Sequence, residues 1–268
     1  MKRILTAIVL IALVFVAVRL APLPIFWIML SVLALLAVFE VRAILSAMNR
    51  PAWPMLSSAG TLAVMAAFLP PKPWLAPVLI GFFGVLTVRT VLSRKSASES
   101  VTRLVSTLFL ATYLGLTLGH VGGLLTSQAG EARERGEDLL ILALVAVYVG
   151  DSCAYYGGRA FGRHKMAPAI SPSKTWEGAF FGILGSILGA VSGSLIFMHV
   201  LPLLHAVLLG VLLGGAGIFG DLLESLLKRA ADVKDSGALL PGHGGVFDRI
   251  DSLLLAAPLL YWYHRLLL

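Results

Sequence analysis

Charge is scarce in this 268-residue chain: Asp, Glu, Lys and Arg make up only 13% of it, against 58% hydrophobic residues, and the mean hydropathy is +0.91. That balance excludes an ordinary soluble domain and describes repeated membrane spans. Cysteine is scarcer still. Cys153 stands alone, which excludes an intrachain disulfide and a cysteine cluster for zinc. Internal repeats and low-complexity tracts are also missing, and with them the inverted-repeat signature of many transporters. The formal charge of +7 comes from Lys and Arg dispersed between apolar stretches. No nucleic-acid partner is expected, because such a partner calls for a basic patch with interleaved aromatics; topology and anionic headgroups account for the surplus instead.

What is present is a series of apolar runs, near 4–20, 24–46, 54–70, 74–92, 104–125, 139–157, 176–200, 203–222 and 252–268, each close to the ~20 residues a spanning helix needs. The expected fold is all-α and polytopic, with about nine transmembrane helices and the lipid bilayer as its surroundings. We read one membrane domain overall, with N-terminal transmembrane helices in 1–126 and a C-terminal transmembrane region in 139–268. Lys2 and Arg3 precede the first run as in a signal peptide, but Arg19 and Leu20 stand where small cleavage-site residues belong, so the first helix is expected to be retained. With the N-terminus cytoplasmic, sixteen Lys and Arg fall on that side and five on the other. This bias places the polar segments 158–175 and 225–251 at the cytoplasmic face, and the C-terminus outside. The segment SQAGEARERGED, 127–138, reads as an external polar loop.

Chemistry concentrates late in the chain. Asp221, Glu224, Ser225 and Lys228 stand at i, i+3, i+4 and i+7, one face of a helix leaving the eighth run. Carboxylates at a bilayer edge are costly unless they pair, hydrate or bind a cation; an interfacial Glu224–Lys228 ion pair is the plain alternative. Lys234, Asp235 and the run Pro241-Gly242-His243-Gly244-Gly245 follow, a glycine-rich loop whose backbone is able to approach a phosphate closely. Asp248, Arg249 and Asp251 then return two carboxylates to the same face. Hard oxygen ligands of this kind suit Mg²⁺.

Together, Ser225-x2-Lys228-Arg229-x4-Lys234-Asp235-x-Gly237-x2-Leu240-Pro241-x-His243-Gly244-Gly245-x2-Asp248-Arg249-x-Asp251 closely resembles the signature of phosphatidate cytidylyltransferases, the CDP-diacylglycerol synthases. A second segment, from Gly150-Asp151 through Gly158-Arg159 and Phe161-Gly162-Arg163 to Ser171-Pro172-Ser173-Lys174-Thr175-Trp176-Glu177-Gly178, looks like the region that precedes that signature. The resemblance covers 151–252 densely; before Asp151 it rests on membrane architecture alone. It implies a transferase that joins CTP and phosphatidate into CDP-diacylglycerol and pyrophosphate, with Mg²⁺ as cofactor and a second divalent ion or K⁺ as an option. On this reading Asp221 and Asp248 are the leading metal ligands, with Asp251, Glu224 and Asp151 as further ligands or orienters. Lys228, Arg229, Lys234, Arg249, Lys174, Arg159, Ser171, His243, Gly244 and Gly245 bind the substrates' phosphates, and Ser225 orients a phosphate or a metal ligand. The implied location is a bacterial inner membrane with the site cytoplasmic, and a homodimer is compatible with the family.

Other readings stay open on the residues alone: a lipid-alcohol kinase or polyprenol phosphate transferase, a cation-coupled transporter of an anionic solute, or a structural scaffold, which leaves 225–251 unexplained. Read without the family, Ser173 and Thr175 are an N-cap and first turn. Glu40, inside an apolar run, is expected to be a buried structural carboxylate. Gly182, Gly185, Gly189 and Gly193 suit close helix packing. Trp27, Trp53, Trp74, Trp176 and Trp262 are read as interfacial anchors.

Overall fold

The computed structural model describes residues 13–69, 74–126, 131–197, 201–239 and 244–268. Residues 13–19 are helical, followed by α1 (Leu23–Ala47), α2 (Pro54–Ala66), α3 (Leu75–Val91), α4 (Ala97–Leu125), α5 (Glu131–Phe161), α6 (Trp176–Phe197), α7 (Leu203–Ala230) and α8 (Phe247–Leu267). A short hairpin, β1 (Lys165–Ala167) with β2 (Ser171–Thr175), joins α5 to α6. Among the described residues, five helices are long and apolar enough to cross a membrane: α1, α4, α5, α6 and α7. The chain is therefore a helical integral membrane protein. The other expected spans differ in kind. At 13 residues α2 measures about 20 Å, short of a hydrocarbon core of about 30 Å, and α3 has 17 residues. The final helix α8 carries charge at both ends, and the first run lies largely outside the described residues.

The chain divides into two compact units. One holds Ala21–Thr126 with Leu227–Arg249; the other holds Ser127–Leu226 with Ile250–Leu268 and the short stretch Ala12–Leu20. In the first, prolines set the helix starts: Pro24 sits in the opening turn of α1 and Pro54 begins α2, where the missing N–H costs nothing. Asn49, at φ 58°, ends α1 in the left-handed region. Ser96 caps α4 by accepting the Glu99 N–H at 3.2 Å, the expected partner in a Ser-x-x-Glu box. Trp53, Phe82, Leu86 and Ala111 form a buried cluster. Trp27 and Trp53 are thus core residues, 9% and 8% exposed, whereas Trp74, Trp176 and Trp262 are exposed as anchors are.

In the second unit, α5 and α6 pack through small residues. A Cβ on Gly189 would lie 2.8 Å from Ala146 Cα, and one on Gly185 would lie 2.6 Å from Cys153 Cβ. The spacing read from the sequence is therefore a packing seam, and Cys153 is part of it. Two expectations need correction. Residues 131–138 are the start of α5, not a loop; Glu137 and Asp138 pair with Arg19, and a charged helix start with a partner has no reason to unwind. Ser173 belongs to β2, and Thr175 alone caps α6, its Oγ1 accepting the Gly178 N–H at 3.1 Å. Alternating polar residues with a proline gave no strand signal strong enough to predict the hairpin. Its register pairs Lys165 with Thr175 and Ala167 with Ser171. Glu177 closes the hairpin's base by accepting the backbone N–H groups of Arg163 and His164.

Candidate active site

Asp221 and Glu224 lie one turn apart on α7, so a helical backbone alone puts both on one face. A third carboxylate, Asp251, comes from the second turn of α8. The residue before Asp221 makes this possible. A Cβ on Gly220 would collide with the Asp251 carbonyl oxygen and lie 3.1 Å from Ser252 Cα, so only glycine lets the two backbones touch here. Carboxylate oxygens of Asp221, Glu224 and Asp251 consequently lie within 4.8 Å of one another. Glu224 is 3% exposed. Three like charges at this spacing repel one another strongly in a poorly solvated site, and hard oxygen donors so gathered fit a divalent cation such as Mg²⁺.

Cationic and hydroxyl groups complete this half. Lys174 reaches from β2 to place Nζ 2.7 Å from Asp221 Oδ2. Ser225 donates from Oγ to Asp221 Oδ1 at 3.3 Å. Asp151, on α5, is hydrogen-bonded by the Ser252 side chain and sits in the field of Asp221, Lys174 and Asp251. Arg159 is exposed at the end of α5, and Ser171 Oγ lies 3.4 Å from Ser173 Oγ.

The other unit carries the glycine-rich segment. Lys228 Nζ donates to Asp248 Oδ1 at 3.0 Å, with the two side chains 16% and 5% exposed. Asp248 also accepts the Ser236 N–H at 3.1 Å and the Gly245 N–H at 2.8 Å. Protein donors thus address both of its oxygens, and the Gly245 N–H points to Asp248 where a phosphate donor was expected. Gly244 has φ 78°, and a Cβ there would collide with Asp248 Oδ2; the position demands glycine twice over. Arg229, Lys234 and Arg249 are exposed cations. His243 lies outside the described residues.

Of the expected site residues, then, the second unit brings together Asp151, Lys174, Asp221, Glu224, Ser225 and Asp251, and the first brings together Lys228, Gly244, Gly245 and Asp248. Sequence reasoning missed Ser236, whose N–H holds Asp248, and the Lys174–Asp221 pair. No spacing rule links residues 47 positions apart, although Lys174 stood in a segment already marked as polar and Asp221 on the face marked for chemistry.

Phosphatidate cytidylyltransferase of Haemophilus influenzae is 40% identical over 134 residues, which is 47% of this chain and 45% of that protein. The enzyme of the same name from Synechocystis is 44% identical over 128 residues, 48% of this chain and 43% of the relative. That of Bacillus subtilis is 42% identical over 127 residues, 47% of each chain. The matched stretch spans less than half the length of these curated relatives. The model of the Cytidylyltransferase family matches residues 1–267, nearly the whole sequence, and the chain belongs to that family.

Proposed function

We propose that this protein transfers the cytidylyl group of CTP to phosphatidate, giving CDP-diacylglycerol and pyrophosphate. The observation that carries the reading is the gathering of Asp221, Glu224 and Asp251 within 4.8 Å beside Lys174, in a membrane chain of the Cytidylyltransferase family. Those three carboxylates are the proposed Mg²⁺ ligands, with Asp151 orienting them through its neighbours. When bound, the ion supplies charge neutralisation to the triphosphate. Asp248, whose oxygens already accept backbone and lysine donors, is proposed as a clamp that fixes Lys228 and the glycine-rich segment.

A phosphate oxygen of the lipid attacks the α-phosphorus of CTP while the bond from that phosphorus to the bridging oxygen breaks, and the electron pair leaves with pyrophosphate. The lipid phosphate is already ionised at neutral pH, so the chain need not supply a base. Its task is in-line positioning and charge neutralisation. Lys174, held by Asp221, and Lys228, held by Asp248, are each proposed to neutralise a phosphate, and Arg229, Lys234 and Arg249 add exposed positive charge. Ser225 keeps Asp221 in one orientation. Counted on the nine-run topology read from the sequence, with a cytoplasmic N-terminus, sixteen of the 21 Lys and Arg fall inside; that bias supports the proposed site facing the cytosol of a bacterial inner membrane.

Purified protein in liposomes with phosphatidate, Mg²⁺ and CTP labelled on the α-phosphate tests the reading. Label is expected to pass into the lipid fraction, and to stop doing so when Mg²⁺ is chelated. Folded protein that leaves all label in the aqueous phase would overturn the proposal.

A further inference from the structure

Glu40 lies in the last third of α1, in the stretch Ala37-Val38-Phe39-Glu40-Val41, and is 6% exposed. A carboxylate so placed is costly unless its oxygens are filled. They are. Oε1 accepts the Val246 N–H at 2.9 Å, and Oε2 accepts the Phe247 N–H at 2.8 Å and the Ser236 hydroxyl at 3.2 Å. Val246 immediately precedes α8 and Phe247 is its first residue, so Glu40 acts as an N-cap supplied by a helix some 200 residues earlier. It satisfies donors that have no intrahelical partner and sets negative charge at the positive end of the helix dipole.

The neighbours are shaped around this carboxylate. A Cβ on Gly237 would lie 2.7 Å from Glu40 Oε1, and one on Gly245 would lie 2.5 Å from Glu40 Oε2 and collide with Ser236 Oγ. Two glycines of the family signature are thus explained by the space that Glu40 occupies. Ser236 joins two clamps, because its hydroxyl holds Glu40 while its N–H holds Asp248. Gly245 does the same, lying against Glu40 and donating its N–H to Asp248.

We infer that Glu40 is a positioning residue for the transfer reaction, which anchors the start of α8 and the flanking residues Ser236 and Gly245 so that Asp248 and Lys228 are held in working geometry. The inference rests on the proposed cytidylyl transfer, and it assigns to the N-terminal helices a part in catalysis that none of the signature residues supplies. A misplacement of about 1 Å in such a frame costs as much as a hundredfold in rate.

The test compares Glu40→Gln and Glu40→Ala with the wild-type chain in detergent, measuring kcat, the KM for CTP, and hydrogen exchange at individual backbone amides. Glutamine keeps the shape and one acceptor, so a fall in kcat of about tenfold is expected, against roughly a hundredfold for alanine. Exchange should quicken at Val246, Phe247 and Ser236 while α5 and α6 keep wild-type protection. If the alanine variant does not fold, the glutamine variant decides alone. Wild-type kcat with unchanged exchange at 246 and 247 in a folded variant would overturn the inference. Loss of protection spread evenly over all helices would overturn it too, as that is the mark of a merely structural residue. An inactive wild-type chain would sink the transferase reading instead, while the exchange data would still report whether Glu40 holds the segment.

Discussion

Two aspartates of the same sequence motif have different surroundings, and the difference is chemical. Asp251 gathers with Asp221 and Glu224 within 4.8 Å, and Lys174 pairs with Asp221. Asp248, three residues earlier, is filled by Lys228 and two backbone N–H groups. Substitution by asparagine therefore separates their roles. Asp221→Asn and Asp251→Asn are expected to cut the transfer rate by at least about a hundredfold and to raise the Mg²⁺ concentration needed for half-maximal activity, because each removes a charged donor. Asp248→Asn is expected to lower stability, on the order of 2 kcal/mol, by removing the charged acceptor of Lys228 and weakening the backbone hydrogen bonds that Asp248 accepts in a mostly buried place. A Mg²⁺ titration of activity and a denaturant melt, run on the same variants, check both. A large shift in the Mg²⁺ requirement of Asp248→Asn would return that residue to the metal site.

At the scale of elements, the seam between α5 and α6 carries much of one unit, and its glycines are close enough to backbone to be intolerant. Gly189→Leu is expected to push the helices apart, since even the first side-chain carbon would lie 2.8 Å from Ala146 Cα. The expected outcome is a lower Tm in detergent and a loss of transfer activity, because α5 carries Asp151 and α6 follows Lys174; an unchanged melt would contradict the packing account. The seam was legible in the sequence, as were the one-face arrangement of Asp221 and Glu224 and the apolar runs that became α1 and α4 to α7. All of these depend on spacing within a single helix. The hairpin, the pairing of Lys174 with Asp221, the helical start of α5 and the capping role of Glu40 were not legible. Each depends on which distant segment supplies a partner, and burial of a carboxylate such as Glu40 signals that a partner exists without saying where.

For the molecule as a whole, the distribution of basic residues makes a topological prediction. A Cys153→Ser chain carrying Lys234→Cys has a single thiol, on an exposed residue. A membrane-impermeant maleimide should label it in inside-out vesicles and leave it unlabelled in intact cells, if the positive-inside bias sets the orientation. Labelling in intact cells alone would reverse the assignment. The β1–β2 hairpin sets a limit of another kind. It is, among the described residues, a sheet of two strands only, so its outer edges face no further strand, and hydrocarbon does not tolerate open sheet edges; residues 165–175 therefore mark a level below which this part of the chain is not expected to sink. Asp151 lies ten residues before Phe161 on α5, about 15 Å along the helix from that level. Lys174 leaves that same hairpin to meet Asp221 at 2.7 Å, so the carboxylate cluster lies within the reach of one lysine side chain from the level that hydrocarbon sets.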